Sequence, residues 1–245
     1  MTDMHSHILP GIDDGAATLA ESLQLLQREC AQGIQTVVLT PHYDPVHTAQ
    51  NDFLAARAAA AGKLTEAAAL KEIPVTLRLG AEVRFSPAVL EDPFPLCIEG
   101  TRYLLMEFSI TRRPALVLET FRRLQGLGIR TIIAHGERYL FPGAEALLYE
   151  LADSGALIQV NTASFLSRPL RKKALQLIDH RLIHLLGSDT HNLGARPPEW
   201  DAVIPILHKK NPALLAACRE NAEEVLKDIR LFPEEPLPFK KSRWK

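Results

Sequence analysis

Histidine recurs together with aspartate and glutamate in a few short motifs within the first 195 residues. The side chains of these three residue types are the usual ligands of divalent ions such as Zn, Mn, Fe and Mg. No cysteine belongs to the motifs, which disfavours a structural zinc site. The residues whose type and spacing suit metal chemistry are His5, His7, Asp13, Asp14, His42, Glu82, Glu107, His135, Asp189 and His191.

Most of these residues fall where predicted β-strands end. Short apolar segments alternate with longer segments of helical period, which predicts a βα-repeating protein with a mainly parallel sheet. In a βα barrel the chemistry is located at the carboxyl ends of the strands. A single histidine at a strand end is more often a surface or core residue than a ligand, but six such strand ends make coincidence a poor explanation. The predicted strands are residues 3–8, 36–40, 75–83, 103–108, 130–135, 157–161 and 184–189.

Helices are predicted between these strands. Thr18 and Glu21 have the spacing of a capping box, and they predict a helix that ends near Gly33. Seven strands predict an α/β fold, a distorted TIM-like (βα)7 barrel, although a doubly wound open sheet would give the same order of elements. No shift in composition marks a second domain, so we expect one domain over residues 1–230 and a proline-rich, basic tail, extended or mobile, over 231–245. Further helices are predicted over residues 53–71, 114–127, 144–154, 169–179, 200–210 and 212–230.

The composition excludes several classes of protein. The 245 residues include 28 Lys and Arg against 29 Asp and Glu, a net charge of −1, whereas nonspecific binding to nucleic acid or anionic membranes needs a basic excess. Three cysteines without a paired spacing indicate a reducing compartment rather than a disulfide framework. The sequence shows no secretion signal and no apolar run of the ~18 residues that a membrane span needs. We therefore expect a cytoplasmic protein that neither inserts into membranes nor binds nucleic acid.

The motifs resemble, in order and spacing, those of the polymerase and histidinol phosphatase (PHP) superfamily. Within it they are most similar to the bacterial capsular and exopolysaccharide protein-tyrosine phosphatases of the CpsB and YwqE type. The resemblance extends from residue 1 to about residue 195, and although each motif alone is weak, the six together are specific. They are HSHILPGIDDG from His5, TPH ending at His42, GAE ending at Glu82, MEF around Glu107, HGERY from His135 and SDTHN from Ser188.

Two motifs depart from the family pattern. HGERY stands where the family usually has HPERY, and SDTHN stands where SDAHN is common. Neither change removes a ligand, so we expect altered loop rigidity rather than lost metals, with Gly136 able to loosen the placement of Arg138.

The resemblance implies a trinuclear site of divalent ions, with manganese as the first choice and iron, zinc, magnesium or cobalt as alternatives. Glu82 would bridge two of the ions, and a metal-bridging hydroxide would attack the phosphorus. Arg138 would clamp the phosphate with two parallel donors, and Asp189 and His191 would complete the catalytic set. The implied ligands are His5, His7, Glu82 and Asp189 for the first ion, Glu82, Glu107 and His135 for the second, and Asp14, His42 and His191 for the third.

Two pairs of neighbouring residues have weaker claims on the site. Motif position favours Asp14 over Asp13 as the ligand, which leaves Asp13 as a loop cap or as a partner of a ligand. Arg112 and Arg113 follow the fourth predicted strand and could steer a phosphopeptide, although a solvated pair is the simpler interpretation.

Other polar and aromatic residues have several possible roles. Tyr43 and Tyr139 could stack on an aryl group or pack in the core. Asn161 and Asn192 lie at strand ends and could orient ligands. Four histidines match no motif position and are expected to be non-ligands, namely His47, His180, His184 and His208.

The resemblance implies a metal-dependent protein-tyrosine phosphatase that acts on a bacterial tyrosine kinase of polysaccharide synthesis. A cysteine-dependent phosphatase is excluded, because that chemistry needs an arginine six positions after the nucleophilic cysteine. The residues at that distance are Thr36 after Cys30, Tyr103 after Cys97 and Glu224 after Cys218. Two alternatives stay open, namely hydrolysis of a small phosphoester such as histidinol phosphate and a noncatalytic PHP-like binding scaffold. The sequence leaves the oligomeric state open.

Overall fold

Short parallel strands form a ring that is surrounded by helices, in a computed structural model that describes residues 1–108 and 114–239. Arg112 and Arg113 therefore lie outside the described residues. The strands are β1 (Thr2–Ser6), β2 (Thr36–Leu39), β3 (His42–Tyr43), β4 (Thr76–Leu79), β5 (Glu82–Arg84), β6 (Tyr103–Glu107), β7 (Arg130–Ile133), β8 (Leu157–Asn161) and β9 (Leu185–Gly187). The helices are α1 (Leu19–Ala31), α2 (Gln50–Leu70), α3 (Pro114–Gly126), α4 (Ala144–Asp153), α5 (Arg168–Asp179), α6 (Trp200–Lys210) and α7 (Pro212–Leu226).

The predicted strand over residues 75–83 is bent and supplies two observed strands, β4 and β5, and a similar bend separates the predicted strand over 36–40 from β3. β2 leads almost directly into β3, and β4 into β5, while Gly80 N still donates to the Leu39 carbonyl across the bend at 2.8 Å. The prediction of one continuous strand over residues 75–83 was therefore wrong. Arg57 accounts for the break, because its buried Nη1 binds the Gly80 carbonyl at 2.7 Å and takes this carbonyl out of the sheet.

The strands close into a ring with seven positions. Parallel pairing runs in the order β1–β2–β4 in one sheet and β3–β5–β6–β7–β8–β9 in the other, and the two bends join the sheets. Between β9 and β1, Ser6 bridges Thr190, and His7 N donates to the Thr190 carbonyl at 2.9 Å. A doubly wound sheet has two free edges, so this contact decides between the two folds that the sequence left open. The fold is a distorted TIM-like α/β barrel.

Apolar side chains of the described residues fill the interior of the barrel. One buried cluster contains side chains from six strands together with Ala222 and Val225 of α7, which also packs against β1 and β9. α7 therefore covers the interior at the end opposite the strand carboxyl ends. The strand members of this cluster include Met4, Val38, Leu105, Ile132, Leu157 and Leu185.

Most predicted helices have observed bounds within two residues of the prediction. α2 begins at Gln50, three residues earlier than predicted, and α7 ends at Leu226, four residues earlier. The Thr18 hydroxyl caps α1 by accepting from Glu21 N at 3.2 Å, and the Glu21 carboxylate accepts from Ala17 N at 3.1 Å. Among the described residues, no helix combines the length and the apolar character that crossing a bilayer requires.

The chain after α7 runs extended and is tied to the end of α5. Leu237 N donates to the His180 carbonyl at 3.0 Å, and the His180 Nδ1 lies 2.8 Å from the Leu237 carbonyl oxygen. The ring of Phe239 lies 4.2 Å from the imidazole of His180. The described part of the tail, residues 231–239, is thus docked on the barrel.

His184, which directly precedes β9, should make the protein less stable in acid. Its buried Nδ1 accepts a hydrogen bond from Ile158 N at 2.8 Å, and burial lowers its pKa from 6.5 to about 4. Folding therefore favours the neutral imidazole, and this contribution is complete above pH 6.5 and is lost as the pH falls toward 4. The free energy of unfolding should decrease by on the order of 3 kcal/mol over that interval.

Urea unfolding between pH 7 and pH 4 measures this effect against the variant His184→Asn. An asparagine can place an acceptor oxygen near the Nδ1 position but does not titrate, so the decrease should be smaller in the variant. His208→Asn, which changes an exposed histidine, is the matched control. Equal pH dependences in the wild type and His184→Asn would contradict the prediction.

Candidate metal centre

The structure brings all nine predicted ligands together at the carboxyl ends of the strands. Six of them are buried. Asp14, His42 and Glu107 reach the solvent, with 66%, 42% and 32% of their side chains exposed. The cluster therefore has a dry inner part and an open mouth.

Glu82 of β5 lies at the centre of the inner part. Its Oε2 is 3.2 Å from the Nε2 atoms of both His5 and His7 and 3.0 Å from the Nδ1 of His42. Its Oε1 is 2.7 Å from the Nε2 of His135, with the geometry of a hydrogen bond. In the described residues, Oε2 has no hydrogen-bond partner despite being buried. A buried carboxylate oxygen that faces three imidazoles without a hydrogen bond lies in an environment that suits a cation.

Three sets of ligand atoms are compact enough to share an ion, since the atoms of each set lie within 4.8 Å of one another. These sets differ from the partition that the resemblance implies: His7 also belongs to the set at the mouth, His42 stands in place of His135 beside Glu82 and Glu107, and Glu82 is not in the set with His5. The sets are His7, Asp14, His42 and His191, then His5, His7 and Asp189, and finally His42, Glu82 and Glu107.

Three of the clustered histidines have their second ring nitrogen held by an oxygen acceptor. Such an acceptor keeps the proton on Nδ1 and leaves the lone pair of Nε2 directed into the cluster. Metal-binding histidines are oriented in the same way. The contacts are His5 Nδ1 to Gln159 Oε1 at 3.0 Å, His7 Nδ1 to Asp13 Oδ2 at 2.7 Å and His191 Nδ1 to the Asp189 carbonyl oxygen at 2.9 Å.

The electrostatics of the cluster favour cations. Burial alone would raise the pKa values of Glu82 and Asp189, but the charge of His5 and hydrogen bonds from neighbouring imidazoles hold both well below their usual range. Burial alone would also lower the pKa values of His5 and His7, yet the carboxylates around them raise both. The pKa of His191 is lowered to about 4 by burial and then by the positive charges near it, which keeps its imidazole neutral at pH 7. A divalent ion that binds here would have to displace the protons that these raised pKa values place on His5 and His7, and it would then supply the positive charge in their place.

The residues present therefore fit divalent metal ions. Imidazole nitrogens and carboxylate oxygens without thiolates match ions of borderline or hard character. The buried His191 Nε2, like Glu82 Oε2, has no hydrogen-bond partner within the described ranges. Each of these two atoms faces other candidate ligand atoms. An ion bound beside each atom would satisfy a buried polar group that otherwise costs free energy.

Two of the candidate ligands have strained backbones. His135 has a φ of 38° and Asp189 a φ of 53°, in the left-handed region that residues with side chains rarely adopt. Gln159 Oε1 accepts from His135 N at 2.9 Å, and the His5 carbonyl accepts from Asp189 N at 2.8 Å. Gln159 thus positions both His5 and His135. Sequence reasoning missed it, although a buried glutamine within the apolar strand β8 was a usable signal.

Asp3 supports the cluster from the inner side. Its carboxylate accepts from Ser188 N at 2.8 Å, from Ser188 Oγ at 2.6 Å and from His5 N at 3.2 Å. Burial raises the pKa of Asp3 to about 6. Ser188 Oγ also accepts from Thr190 N at 3.1 Å. Asp3 therefore fixes the segment that carries Asp189 relative to β1.

Two arginines converge on Asp189 at the edge of the cluster. The Nη2 atoms of Arg138 and Arg196 each lie 2.8 Å from Asp189 Oδ2, and Asn161 Nδ2 donates to the same oxygen at 2.6 Å. The two guanidinium side chains are 40% and 38% exposed. Sequence reasoning selected Arg138 but missed Arg196. The side-chain oxygen of Asn192 accepts from the backbone N atoms of residues 194, 195 and 196, and the tight loop that results returns Arg196 to the cluster.

Gly136 has a packing role that the expectation of a looser loop did not include. A Cβ at this position would lie 2.3 Å from Ile158 Cγ2, so only glycine lets the turn Gly136–Tyr139 approach β8 this closely. The buried Glu137 fastens the same turn by accepting from Ser164 Oγ at 2.7 Å. A proline here would require the turn or the isoleucine to shift.

The two tyrosines considered for stacking on an aryl group have partners within the protein. Tyr43 and Tyr139 are buried, so they pack in the core. The ring of Tyr43 lies 4.7 Å from that of Phe53, and the Tyr139 hydroxyl accepts from Phe108 N at 2.8 Å. Among the described residues, the compact ligand sets do not include His47, His180, His184 or His208.

The cysteines are poorly suited to act as nucleophiles. Burial raises the pKa values of the Cys97 and Cys218 thiols to about 12, and burial also raises the pKa of Cys30. Because the thiolate is the reactive form, thiols in these surroundings are inert at neutral pH.

The fold and the site together define a TIM-like barrel protein with a candidate multinuclear metal centre at the strand carboxyl ends. The chain belongs to the CpsB/CapC family of capsular polysaccharide synthesis, which matches residues 1–227. This finding confirms the resemblance inferred from the motifs.

Relatives and a solved structure agree with this assignment. The chain is 32% identical over 251 residues to the tyrosine-protein phosphatase YwqE of Bacillus subtilis, and the alignment covers 99% of this chain and 98% of that protein. It is 31% identical over 232 residues to the tyrosine-protein phosphatase CpsB of Streptococcus pneumoniae, and that alignment covers 86% of this chain and 90% of CpsB. A chain from the YwqE and CpsB crystal structures, described as unique metal-dependent tyrosine phosphatases, superposes with a TM-score of 0.88 at 31% identity, covering 98% of this chain and 100% of that one.

Asp13→Asn should weaken metal binding without removing a predicted ligand. The Asp13 carboxylate accepts from His7 Nδ1 at 2.7 Å and from His42 N at 2.9 Å. A neutral amide holds the imidazole proton less well, and loss of such a partner lowers metal affinity by about 10–100-fold. Calorimetric titration with manganese measures the change, with Asp52→Asn on the exposed face of α2 as control. Identical affinities for Asp13→Asn and the wild type would refute the role given to Asp13.

Proposed function

We propose that this protein is a metal-dependent protein-tyrosine phosphatase. The observation that carries the proposal is the buried histidine and carboxylate cluster around Glu82, with two half-exposed guanidinium groups directly beside it. The relatives YwqE and CpsB support it, since both are tyrosine-protein phosphatases. The proposed substrate is a phosphotyrosine segment of a bacterial tyrosine kinase that controls capsule or exopolysaccharide synthesis. We place the enzyme in the cytoplasm, with residues 1–230 as one catalytic domain followed by the tail.

The proposed cofactors are three divalent ions, with manganese as the first choice. The nine clustered histidines, aspartates and glutamates would hold them. When bound, the ions would supply an activated water near neutral pH and positive charge for the phosphoryl oxygens. The ligand atoms of Glu82 and of the histidines around it are already held in place by the protein, so little reorganisation is needed on binding.

Arg138 and Arg196 would bind the phosphate. Both use one nitrogen on Asp189 Oδ2, which leaves further N–H groups for phosphate oxygens. Asp189 would thus act in two ways, since its Oδ1 faces His5 and His7 at 3.6 and 3.4 Å while its Oδ2 orients the guanidinium groups. This arrangement would aim the phosphorus toward the cluster, and such positioning is a major part of phosphoryl-transfer catalysis.

Leaving-group chemistry makes an aryl phosphate a better substrate for this site than an alkyl phosphate. Phenols have pKa values near ~10, so a phenolate departs with little help from a general acid. An alcohol such as histidinol is a poorer leaving group and would need a proton donor. Comparing turnover of phosphotyrosine peptides with that of histidinol phosphate therefore separates the proposal from the alternative of a small phosphoester.

Removal of metal should abolish the activity. Exhaustive dialysis against a chelator, or His5→Ala, should lower kcat for a phosphotyrosine peptide by about 100-fold or more, because activation of the water and charge compensation are lost together. Restoring manganese should recover the dialysed wild type but not His5→Ala. His208→Ala serves as a control for an exposed histidine. The proposed mechanism is contradicted if protein that elemental analysis shows to be metal-free still turns over substrate at the normal rate.

Arg196→Ala should impair phosphate binding while leaving the metal content unchanged. Asp189 would still be held by Arg138 and Asn161, so the loss should reflect the missing guanidinium. We expect kcat/KM for a phosphotyrosine peptide to decrease by about 100-fold. Arg84→Ala, which removes an exposed arginine that contacts Asp44, is the matched control. The assignment fails if kcat/KM and inhibition by inorganic phosphate are the same in Arg196→Ala and the wild type.

A further inference from the structure

Helix α5 carries four basic side chains within its first six residues, namely Arg168, Arg171, Lys172 and Lys173. The first three are exposed, and Lys173 is half-buried. The ion pairs that arginine and lysine form in the described part of the chain involve other residues. This concentration of positive charge is local, because the whole chain has a net charge of −1.

The stability of the fold does not explain this placement. The amino end of a helix is the positive end of its dipole, where basic side chains destabilise and acidic ones stabilise. α5 has no acidic residue in its first turn, and its cap residue Ser167 makes no side-chain capping bond. Among the described residues no acidic side chain pairs with these charges, which oppose the helix dipole, as expected for a surface that meets an anionic partner.

The basic surface adjoins the candidate active site. Ser167 and Leu170 line the same cleft as Arg138, Asp189 and Arg196. Arg168, Arg171 and Lys172 line the adjacent groove along the helix. Arg171 also anchors the helix start, since its Nε donates to the Phe165 carbonyl at 2.6 Å. A peptide whose phosphate lies between the two arginines of the cleft would thus continue past the start of α5.

We propose that this surface docks an acidic segment of the protein substrate next to its phosphotyrosine. The proposal rests on the proposed phosphatase function and adds to it the chemistry of the flanking sequence. Long-range attraction between the four cations and a run of Asp or Glu raises the rate of encounter and aligns the phosphotyrosine with the cleft. A small aryl phosphate does not reach the helix and gains nothing from it.

The test uses a charge reversal on one face of the helix, Arg168→Glu with Lys172→Glu. These residues are four apart, so they share a face. Acidic residues suit the start of a helix, so the fold should not be weakened. Arg171 is left intact because of its anchoring contact. The matched control is Lys209→Glu with Lys210→Glu, which makes the same change of charge at the exposed end of α6.

The substrates are two phosphotyrosine peptides of equal length, one with glutamates and one with glutamines around the tyrosine, and p-nitrophenyl phosphate. We expect the α5 variant to lose about 10-fold or more in kcat/KM on the acidic peptide at low salt. Its activity on p-nitrophenyl phosphate and on the neutral peptide should match that of the wild type. The difference should shrink at high salt, because exposed charges are screened. Equal preference for the acidic peptide in the variant and the wild type would overturn the proposal.

A binding measurement separates this proposal from the phosphatase function. If the wild type hydrolyses none of the substrates, fluorescence anisotropy with a labelled acidic peptide that carries phenylalanine in place of phosphotyrosine tests docking alone. Weaker binding by the α5 variant than by the α6 variant supports the docking surface, and equal binding overturns it. The proposal is also overturned if the α5 variant loses binding to phosphatidylserine vesicles while its binding to the acidic peptide is unchanged. The surface would then belong to a membrane contact.

Discussion

The burial of the Glu82 carboxylate is the constraint on which the rest of the site depends. This side chain is 1% exposed, and its two oxygens face the nitrogens of four imidazoles. A buried carboxylate is costly unless positive charge compensates it, so the imidazoles around it must be held with their lone pairs or protons directed inward. Gln159 and Asp13 do this for His5 and His7 by binding the opposite ring nitrogens. The site is therefore organised by the protein itself.

The barrel makes this arrangement possible by bringing the first and last strands together. Closure between β1 and β9 places Asp189 beside His5 and His7, although about 180 residues separate them along the chain. The approach is so close that a Cβ at Gly187 would lie 2.6 Å from the Cβ of His5. Asp189 then needs a left-handed backbone to turn its carboxylate toward the cluster. Among the described residues, His135 and Asp189 are thus two of the five non-glycine residues with a positive φ.

The proposed chemistry and the proposed recognition involve different parts of the carboxyl face. The inner histidines and Glu82 are dry, which strengthens their electrostatic interactions. The cations that would meet a substrate lie at the rim, where Arg138 and Arg196 are half-exposed and α5 presents its basic surface. Asp189 connects the two parts, because one of its oxygens faces the histidines and the other holds both arginines. A change in the substrate can therefore be accommodated at the rim without disturbing the inner cluster.

The order of helices and strands follows from the sequence alone, and so do the strand ends that carry His, Asp and Glu. These properties are local, since side-chain period and residue type are read within a few positions. Three features emerge only from the three-dimensional packing. The sheet closes, the third predicted strand is broken where Arg57 binds the Gly80 carbonyl, and Gln159 and Arg196 join the site. Each of these depends on contacts between elements whose relative placement no local pattern specifies. The residue types of the candidate ligands are thus a property of the sequence. The residues that hold them in place are brought there by packing between distant segments.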